Sequence, residues 1–176
     1  MKIKLTEEDL TIALEFVSKR TNSTTIYKSR GGFKTDDILI GALGEIAAQR
    51  YLIELGYEVG APDFNIYKRG EKSYAADLHD SLGHCFHVKS QGLKSAKLYG
   101  NSYLMQKYDC VVTNATDDDI FVPTLVDVDG LEVTFFGILP FKDVVFGECK
   151  VPFLNKTKVA IYLDDMEAFS AGRMNE

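Results

Sequence analysis

The sequence predicts a mixed α+β (α/β) fold, a central mixed β-sheet flanked by helices. Three observations carry this expectation. Apolar residues recur at helical spacing in two stretches before Gly56. Short β-rich runs bounded by turn residues dominate from Tyr57 to Leu163. The resulting order is helix, helix, several strands, a short helical turn and more strands, which suits a layered α+β arrangement. At 176 residues the chain fits one domain, 1–176, and is long enough to bury a real core. It divides into an N-terminal helix and basic loop (1–35), a core (36–115), and C-terminal strands with a short helix (116–176). Nothing in it repeats.

In chain order, Thr6 is a natural N-cap, and Glu7, Glu8 and Asp9 place acids in the first turn. Leu10, Ala13, Leu14 and Val17 give a helix from Glu7 to about Arg20. Thr21–Lys34 is polar, contains Gly31-Gly32 and carries Lys28, Arg30 and Lys34. It reads as a basic loop, either a solvated linker or a segment that contacts a phosphate backbone. A second, longer helix starts at Thr35-Asp36-Asp37 and stops at Gly56. Gly41 and Gly44 within it cost helix stability, which points to close packing against a sheet. Tyr57–Val59 and Phe64–Tyr67 are expected strand pieces, and Lys68–Lys72 a charged turn. Ser73–Leu78 and Cys85–Ser90 are expected to form a hairpin about a turn at Asp80–Gly83. Gly92–Asn101, with Lys94 and Lys97, is a second expected basic loop. Tyr103–Tyr108 is an expected helical turn and Cys110–Thr113 an expected buried strand. Asp117-Asp118-Asp119 is an expected loop, because three adjacent carboxylates do not converge on one point. Ile120–Val128 and Leu131–Leu139 are expected strands joined at Asp129-Gly130. Pro140 ends that pair. Thr157–Leu163 is an expected last strand and Asp164–Ala171 a short helix.

Composition narrows the function. Apolar content of 45% and charged content of 26% are ordinary for a soluble globular protein. The net charge of −6 and pI near 5.1 exclude a globally basic polypeptide but leave room for a local basic patch. Three widely spaced cysteines, Cys85, Cys110 and Cys149, argue for a reducing compartment rather than a disulfide framework. No apolar leader precedes the first helix, and no run approaches the ~18 apolar residues of a membrane span. The expected location is the cytoplasm, with no membrane partner.

The chemistry concentrates between Asp77 and Gln91. On the second run of the hairpin, Cys85, His87, Lys89 and Gln91 share one face, and His84, Phe86, Val88 and Ser90 the other. One face can pack; the other offers an imidazole and an amine, with Asp77 on the partner strand. Lysine and aspartate are seldom buried in strands without partners. Upstream, Glu45 is rooted among the small residues Gly41, Gly44 and Ala48, which can draw it towards the sheet rather than leave it in solvent. Zinc is an alternative through His79, His84, His87 and Cys85. However, alternation puts His84 opposite His87 and Cys85, and there is no spaced Cys/His quartet. Asp63, after Pro62, competes with Asp77 but reads as a turn residue. Serine-hydrolase elbows, phosphate loops and dinucleotide fingerprints are missing.

The stretch from Gly44-Glu45-Ile46-Ala47 to Gly56-Tyr57-Glu58-Val59, with Ala76-Asp77-Leu78 and His87-Val88-Lys89-Ser90-Gln91, resembles the PD-(D/E)XK nuclease superfamily. The resemblance runs from about Asp36 to Thr113. It implies a restriction-endonuclease-like core and a metal-dependent endonuclease or exonuclease that hydrolyses DNA phosphodiester bonds. Asp77 would be the principal ligand for Mg²⁺ or Mn²⁺, with Glu45 binding directly or through water. Lys89 would orient the attacking water or stabilise charge on the phosphate. Gln91 would bond the water or a base edge. The family's second acid is replaced by His87, a softer ligand that favours Mn²⁺ over Mg²⁺, or else positions water or phosphate. Lys28, Arg30, Lys34, Lys94 and Lys97 would meet the nucleic-acid backbone. DNA is the expected partner, RNA is an alternative with the same phosphate chemistry, and family members that cut two strands often act as homodimers. The alternative from another class is a catalytically inactive nuclease-like module that binds nucleic acid or protein, for which His87 is the argument.

Overall fold

The computed structural model describes residues 1–22, 35–66, 76–151 and 154–166. The fold is mixed α/β. Its larger sheet has six strands: β1 (Lys2–Lys4), β2 (Leu78–His79), β3 (Cys85–Gly92), β5 (Asp119–Asp127), β6 (Glu132–Phe135) and β7 (Leu139–Pro140). They run in the order β1-β6-β5-β3-β2, with β7 also paired to β5. β3 and β5 are parallel, and every other pairing is antiparallel. A smaller antiparallel sheet is built from β4 (Ser102–Gln106), β8 (Gly147–Glu148) and β9 (Lys158–Tyr162), in the order β4-β9-β8. The helices are α1 (Glu7–Asn22), α2 (Thr35–Glu54), α3 (Leu93–Tyr99) and α4 (Cys110–Thr113). Among the described residues no helix is long and apolar enough to cross a membrane.

Alternation along β3 and β5 divides the molecule into two cores. Phe86, Val88, Ile120 and Val122 face α1 and α2, where they meet Phe16, Leu43, Ala47 and Leu52. Phe121 faces the other way, into a cluster with Tyr103, Met105, Phe141, Ile161 and Leu163 that joins the two sheets. β5 is therefore covered on both faces, which explains its almost unbroken apolar run. Pro123 is tolerated in this inner strand at the position where its partner changes from β6 to β7.

The start of α1 and the end of α2 are those the sequence implies. The Asp9 amide donates to Thr6 Oγ1 (3.2 Å), while Asp9 Oδ2 accepts from the Thr6 amide (2.8 Å). This is a reciprocal capping box. At the end of α2, Gly56 takes φ +95°, with Tyr57 N bonded to Leu52 O and Gly56 N to Ile53 O. Those two bonds make a Schellman stop. Gly44 is the close-packing glycine: a Cβ built there would lie 1.9 Å from Ser90 Oγ on β3. Gly41 faces open space and does not share that role.

Asp9 is also the clasp between the helices. It is 4% exposed, and its second oxygen pairs with the Arg50 guanidinium from α2. Burial pushes its pKa up, but hydrogen bonds from Arg50 and Thr6 more than offset this and hold it below the usual carboxylate range. With the folded pKa below the unfolded one, the pair stabilises the fold at neutral pH and loses that contribution as pH falls through the folded value. Asp9→Asn should therefore cost about 1–2 kcal/mol at pH 7, because Arg50 is partly solvated. The difference from wild type should shrink towards zero at about pH 2. Urea unfolding at both pH values checks this.

Several segments differ from the sequence expectation. β1 precedes the first helix. Gly92–Asn101 is mostly the helix α3, not a loop. Tyr103–Tyr108 is largely β4 and its following turn, because its alternating residues Tyr103 and Met105 reach the inter-sheet core. Cys110–Thr113 is the short helix α4, started by Asp109, whose carbonyl accepts from Val112 and Thr113. Tyr57–Val59 contributes a single bridge, Val59 to Asp80, and Phe64–Ile66 is not strand. Leu131–Leu139 is broken into β6 and the start of β7. After β9, Leu163–Asp165 is a 3-10 turn. Lys68–Lys72, residues 73–75, Tyr67 and the end of the expected Asp164–Ala171 helix lie outside the described residues.

Candidate active site

The site begins where the β2–β3 ladder becomes irregular. Asp77 stands one residue before β2, and its amide donates to Phe86 O (3.0 Å). Its carboxylate then takes the place of the next carbonyl: Oδ2 accepts from the Val88 amide at 2.8 Å. That fixes the carboxylate against β3, and Lys89 Nζ lies 3.7 Å from the same oxygen. Both side chains are partly exposed, at 21% and 29%. Asp77 Oδ1 makes no hydrogen bond among the described residues. The aspartate and lysine expected to work together are thus adjacent, on a carboxylate that the backbone orients.

Glu45 is half-buried on α2, immediately after the glycine that stands against Ser90. Close packing at Gly44 is what brings this part of the helix to β3. Lys89 also has a neighbour that the sequence did not single out. Lys158, on β9, is partly buried; burial pushes its pKa below the usual lysine range, against Asp109, and the charge of Lys89 adds to that lowering.

His87 shares the face of Lys89, as the pleat requires, but its ring is engaged. It is 5% exposed, Nε2 lies 2.8 Å from Asp119 Oδ1, and the ring meets Phe141 edge-on at 5.3 Å. Asp119 itself is fixed by Thr116, whose amide and hydroxyl both donate to Oδ2 at 2.8 Å. Burial raises the pKa of Asp119, but bonds from Thr116 and His87 outweigh it and hold the carboxyl below its usual range. Asp119, expected in a loop, opens β5. Its proximity to His87 follows from the parallel β3–β5 register, which pairs Cys85 with Asp119 and His87 with Phe121. The sequence signal was there in weak form: a Thr-x-x-Asp spacing before an apolar strand.

Gln91 is buried and braced. Its amide nitrogen donates to Gly100 O (3.0 Å) and lies within reach of the Ser95 and Ser102 hydroxyls. Its carbonyl accepts from Ser102 N (3.1 Å). These bonds tie β3 to the α3–β4 connection. Gln91→Ala should accordingly lower stability by about 2–3 kcal/mol in urea unfolding, since it strands a buried amide and carbonyl. A base-reading role alone would leave the urea midpoint unchanged.

A cleft of about 820 Å³ opens beside this brace. Lys89, Gln91 and Lys94 are the expected site residues that line it, and Tyr99 stands at its rim, half exposed. The facing wall is acidic, with Asp36 and Asp37 from α2 and Asp127 and Asp129 from the β5–β6 turn. Lys94 and Lys97 are exposed on α3. Lys28, Arg30 and Lys34 lie outside the described residues.

The histidines do not gather. His84 Nδ1 is 2.6 Å from Asp80 Oδ2, and His79 Nδ1 is 3.5 Å from Cys85 Sγ. Burial and the carboxylates Asp119, Asp118 and Asp80 push the Cys85 thiol up, so it is not an activated nucleophile. Among the described residues no group of three or more His, Cys, Asp or Glu side chains could hold a metal ion. Closed zinc geometry is therefore not formed here. Mg²⁺ asks less: it keeps several waters and is held by one or two carboxylates plus substrate phosphate. Glu45, Asp77 and His87, expected as its ligands, do not form such a three-ligand group among the described residues.

Comparison with protein-family models, curated proteins and solved structures finds no match. The functional reading stands on the geometry.

Proposed function

We propose that this chain is a metal-dependent phosphodiesterase of the PD-(D/E)XK type that cleaves DNA. The observation that carries the proposal is the Asp77–Lys89 pair, 3.7 Å apart at the end of the β2–β3 hairpin, with one carboxylate oxygen making no hydrogen bond among the described residues. Asp77 would hold the ion, joined by Glu45 from α2. A bound Mg²⁺ or Mn²⁺ would neutralise phosphate oxygens and lower the pKa of the attacking water. Lys89 supplies three donors and a fixed positive charge for the water or a non-bridging oxygen. The Val88 amide keeps the carboxylate in place without consuming Oδ1.

A second reading is favoured by the partners of His87 and Gln91. Two of the five expected site residues make bonds that a non-catalytic binding module would also use. Incubation with supercoiled plasmid, single-stranded and branched DNA, in Mg²⁺ and then Mn²⁺, separates the two. Cleavage that disappears in Asp77→Asn and in Lys89→Met is the expected result. No cleavage of any substrate, or cleavage that both variants retain, would leave only the binding module.

A further inference from the structure

We propose that the outer edge of β4 is a docking site for an extended basic peptide segment of a partner protein, which adds a strand inside the cleft beside Gln91. The juxtaposition behind it is a strand edge with unused backbone groups and a wall of aspartates without cations. The proposal goes beyond the nuclease reading and does not depend on it.

The register identifies the unused groups. β4 is the outer strand of the order β4-β9-β8. Its ladder with β9 runs from Ser102 opposite Tyr162 to Gln106 opposite Lys158. Just beyond its two ends, Leu163 N donates to Asn101 O and Lys107 N to Thr157 O, both at 3.0 Å. Hydrogen-bonded positions alternate along an antiparallel pair. Tyr103 and Met105 therefore direct their N–H and C=O to β9, and Ser102, Leu104 and Gln106 direct theirs away. Two outward groups are engaged: Ser102 N donates to Gln91 Oε1 (3.1 Å), and Gln106 O accepts from Asp109 N (3.0 Å). Ser102 O, Leu104 N, Leu104 O and Gln106 N make no hydrogen bond among the described residues. Nothing along the strand guards this edge, since Ser-Tyr-Leu-Met-Gln contains neither a charge nor a proline.

The surroundings select the chemistry of the added strand. Ser102 and Leu104 line the same cleft as Asp36, Asp37, Asp127 and Asp129. None of these four carboxylates pairs with a cation among the described residues. Such a wall repels a polyanion and attracts lysine and arginine side chains. Leu98, Tyr99 and Leu104, exposed at 75%, 48% and 41%, add apolar surface for the alternate side chains of an extended segment. Backbone chemistry points the same way. Phosphates offer acceptors, which could meet Leu104 N and Gln106 N but not Ser102 O and Leu104 O. A peptide strand brings donors and acceptors together.

The probe is a fluorescein-labelled peptide of alternating lysine and valine, titrated against the full chain at low salt, with backbone amide exchange followed by NMR. Binding should slow exchange at the Leu104 and Gln106 amides and leave Tyr103 and Met105, already bonded to β9, unchanged. The same peptide N-methylated at every peptide bond keeps its charge but loses its donors, and should bind at least about tenfold more weakly. The triple variant Asp36→Asn, Asp37→Asn, Asp129→Asn should bind the unmethylated peptide about tenfold more weakly, a difference that narrows as salt rises. No binding at millimolar peptide, equal binding of the methylated peptide, or unchanged exchange at Leu104 and Gln106 would overturn the proposal. So would stronger protection of those amides by single-stranded DNA, which would make the edge a nucleic-acid contact. Protection that grows with protein concentration in the absence of peptide would assign the edge to a second copy of the chain instead. None of these readouts uses DNA cleavage, so the nuclease reading stands or falls separately.

Discussion

Replacing Asp77 by asparagine should reduce DNA cleavage by about 10³-fold while leaving the melting temperature nearly unchanged. Asparagine is the informative substitution because Asp77 has two jobs. Its Oδ2 accepts from the Val88 amide, and an asparagine carbonyl can do the same. What is lost is the negative charge that would hold the cation and face Lys89. The pair with Lys89 is partly solvated and 3.7 Å long, so its own contribution to stability is within about 1 kcal/mol. Asp77→Ala is a worse probe: it leaves the Val88 amide without its acceptor and should unfold about 1–3 kcal/mol more easily. Initial rates of plasmid nicking at saturating Mn²⁺, read beside thermal melts, decide the matter. Full activity in Asp77→Asn would remove this carboxylate from the chemistry.

Gly44→Ala should be the most damaging conservative substitution in α2, at about 2–3 kcal/mol. The new Cβ would fall 1.9 Å from Ser90 Oγ, 3.0 Å from Ser90 Cβ and 3.2 Å from Thr124 Oγ1. The serine oxygen can rotate away, at the cost of its contact with Thr124 Oγ1 at 3.0 Å. Its Cβ cannot, so the helix must lift from β3. Combining the change with Ser90→Ala should recover about half the loss, because it removes the oxygen but not the carbon. Urea denaturation of the two single variants and the double variant measures the coupling. A cost under about 0.5 kcal/mol in the single variant would mean that α2 can slide without penalty, and the close approach would then not be what sets Glu45 beside the sheet.

The readable parts of the fold were those governed by local rules. The Thr6 cap, the Gly56 stop, the face-sharing of His87, Lys89 and Gln91, and the turn at Asp129-Gly130 all follow from neighbours a few residues away. The parts misread were those decided by distant partners. Ser102–Gln106 becomes a strand because β9 lies beside it, more than fifty residues later. Cys110–Thr113 has the β-branched composition of a strand yet is a single helical turn, because Asp109 offers both its carbonyl and its carboxylate to the amides that follow. Of the candidate site, Asp77 and Lys89 were legible as a pair. The employment of Gln91 by the α3–β4 connection was not, and neither was Asp119, whose meaning depends on which strand lies next to β3.

β3 lies between β2, which comes before it in the chain, and β5, which follows only after residues 93–118 have supplied α3, β4 and α4. Parallel pairing across such an excursion is a long-range event, paid for in loop closure before any contact repays it. During synthesis, α2 and the β2–β3 hairpin would emerge early, with Glu45, Asp77, His87 and Lys89 already in order. The side of β3 that β5 will cover would still be open, and His87 would have no carboxylate beside it. A chain stopped before Asp119 would therefore contain every residue of the motif while the edge of β3 that pairs with β5 stayed unpaired.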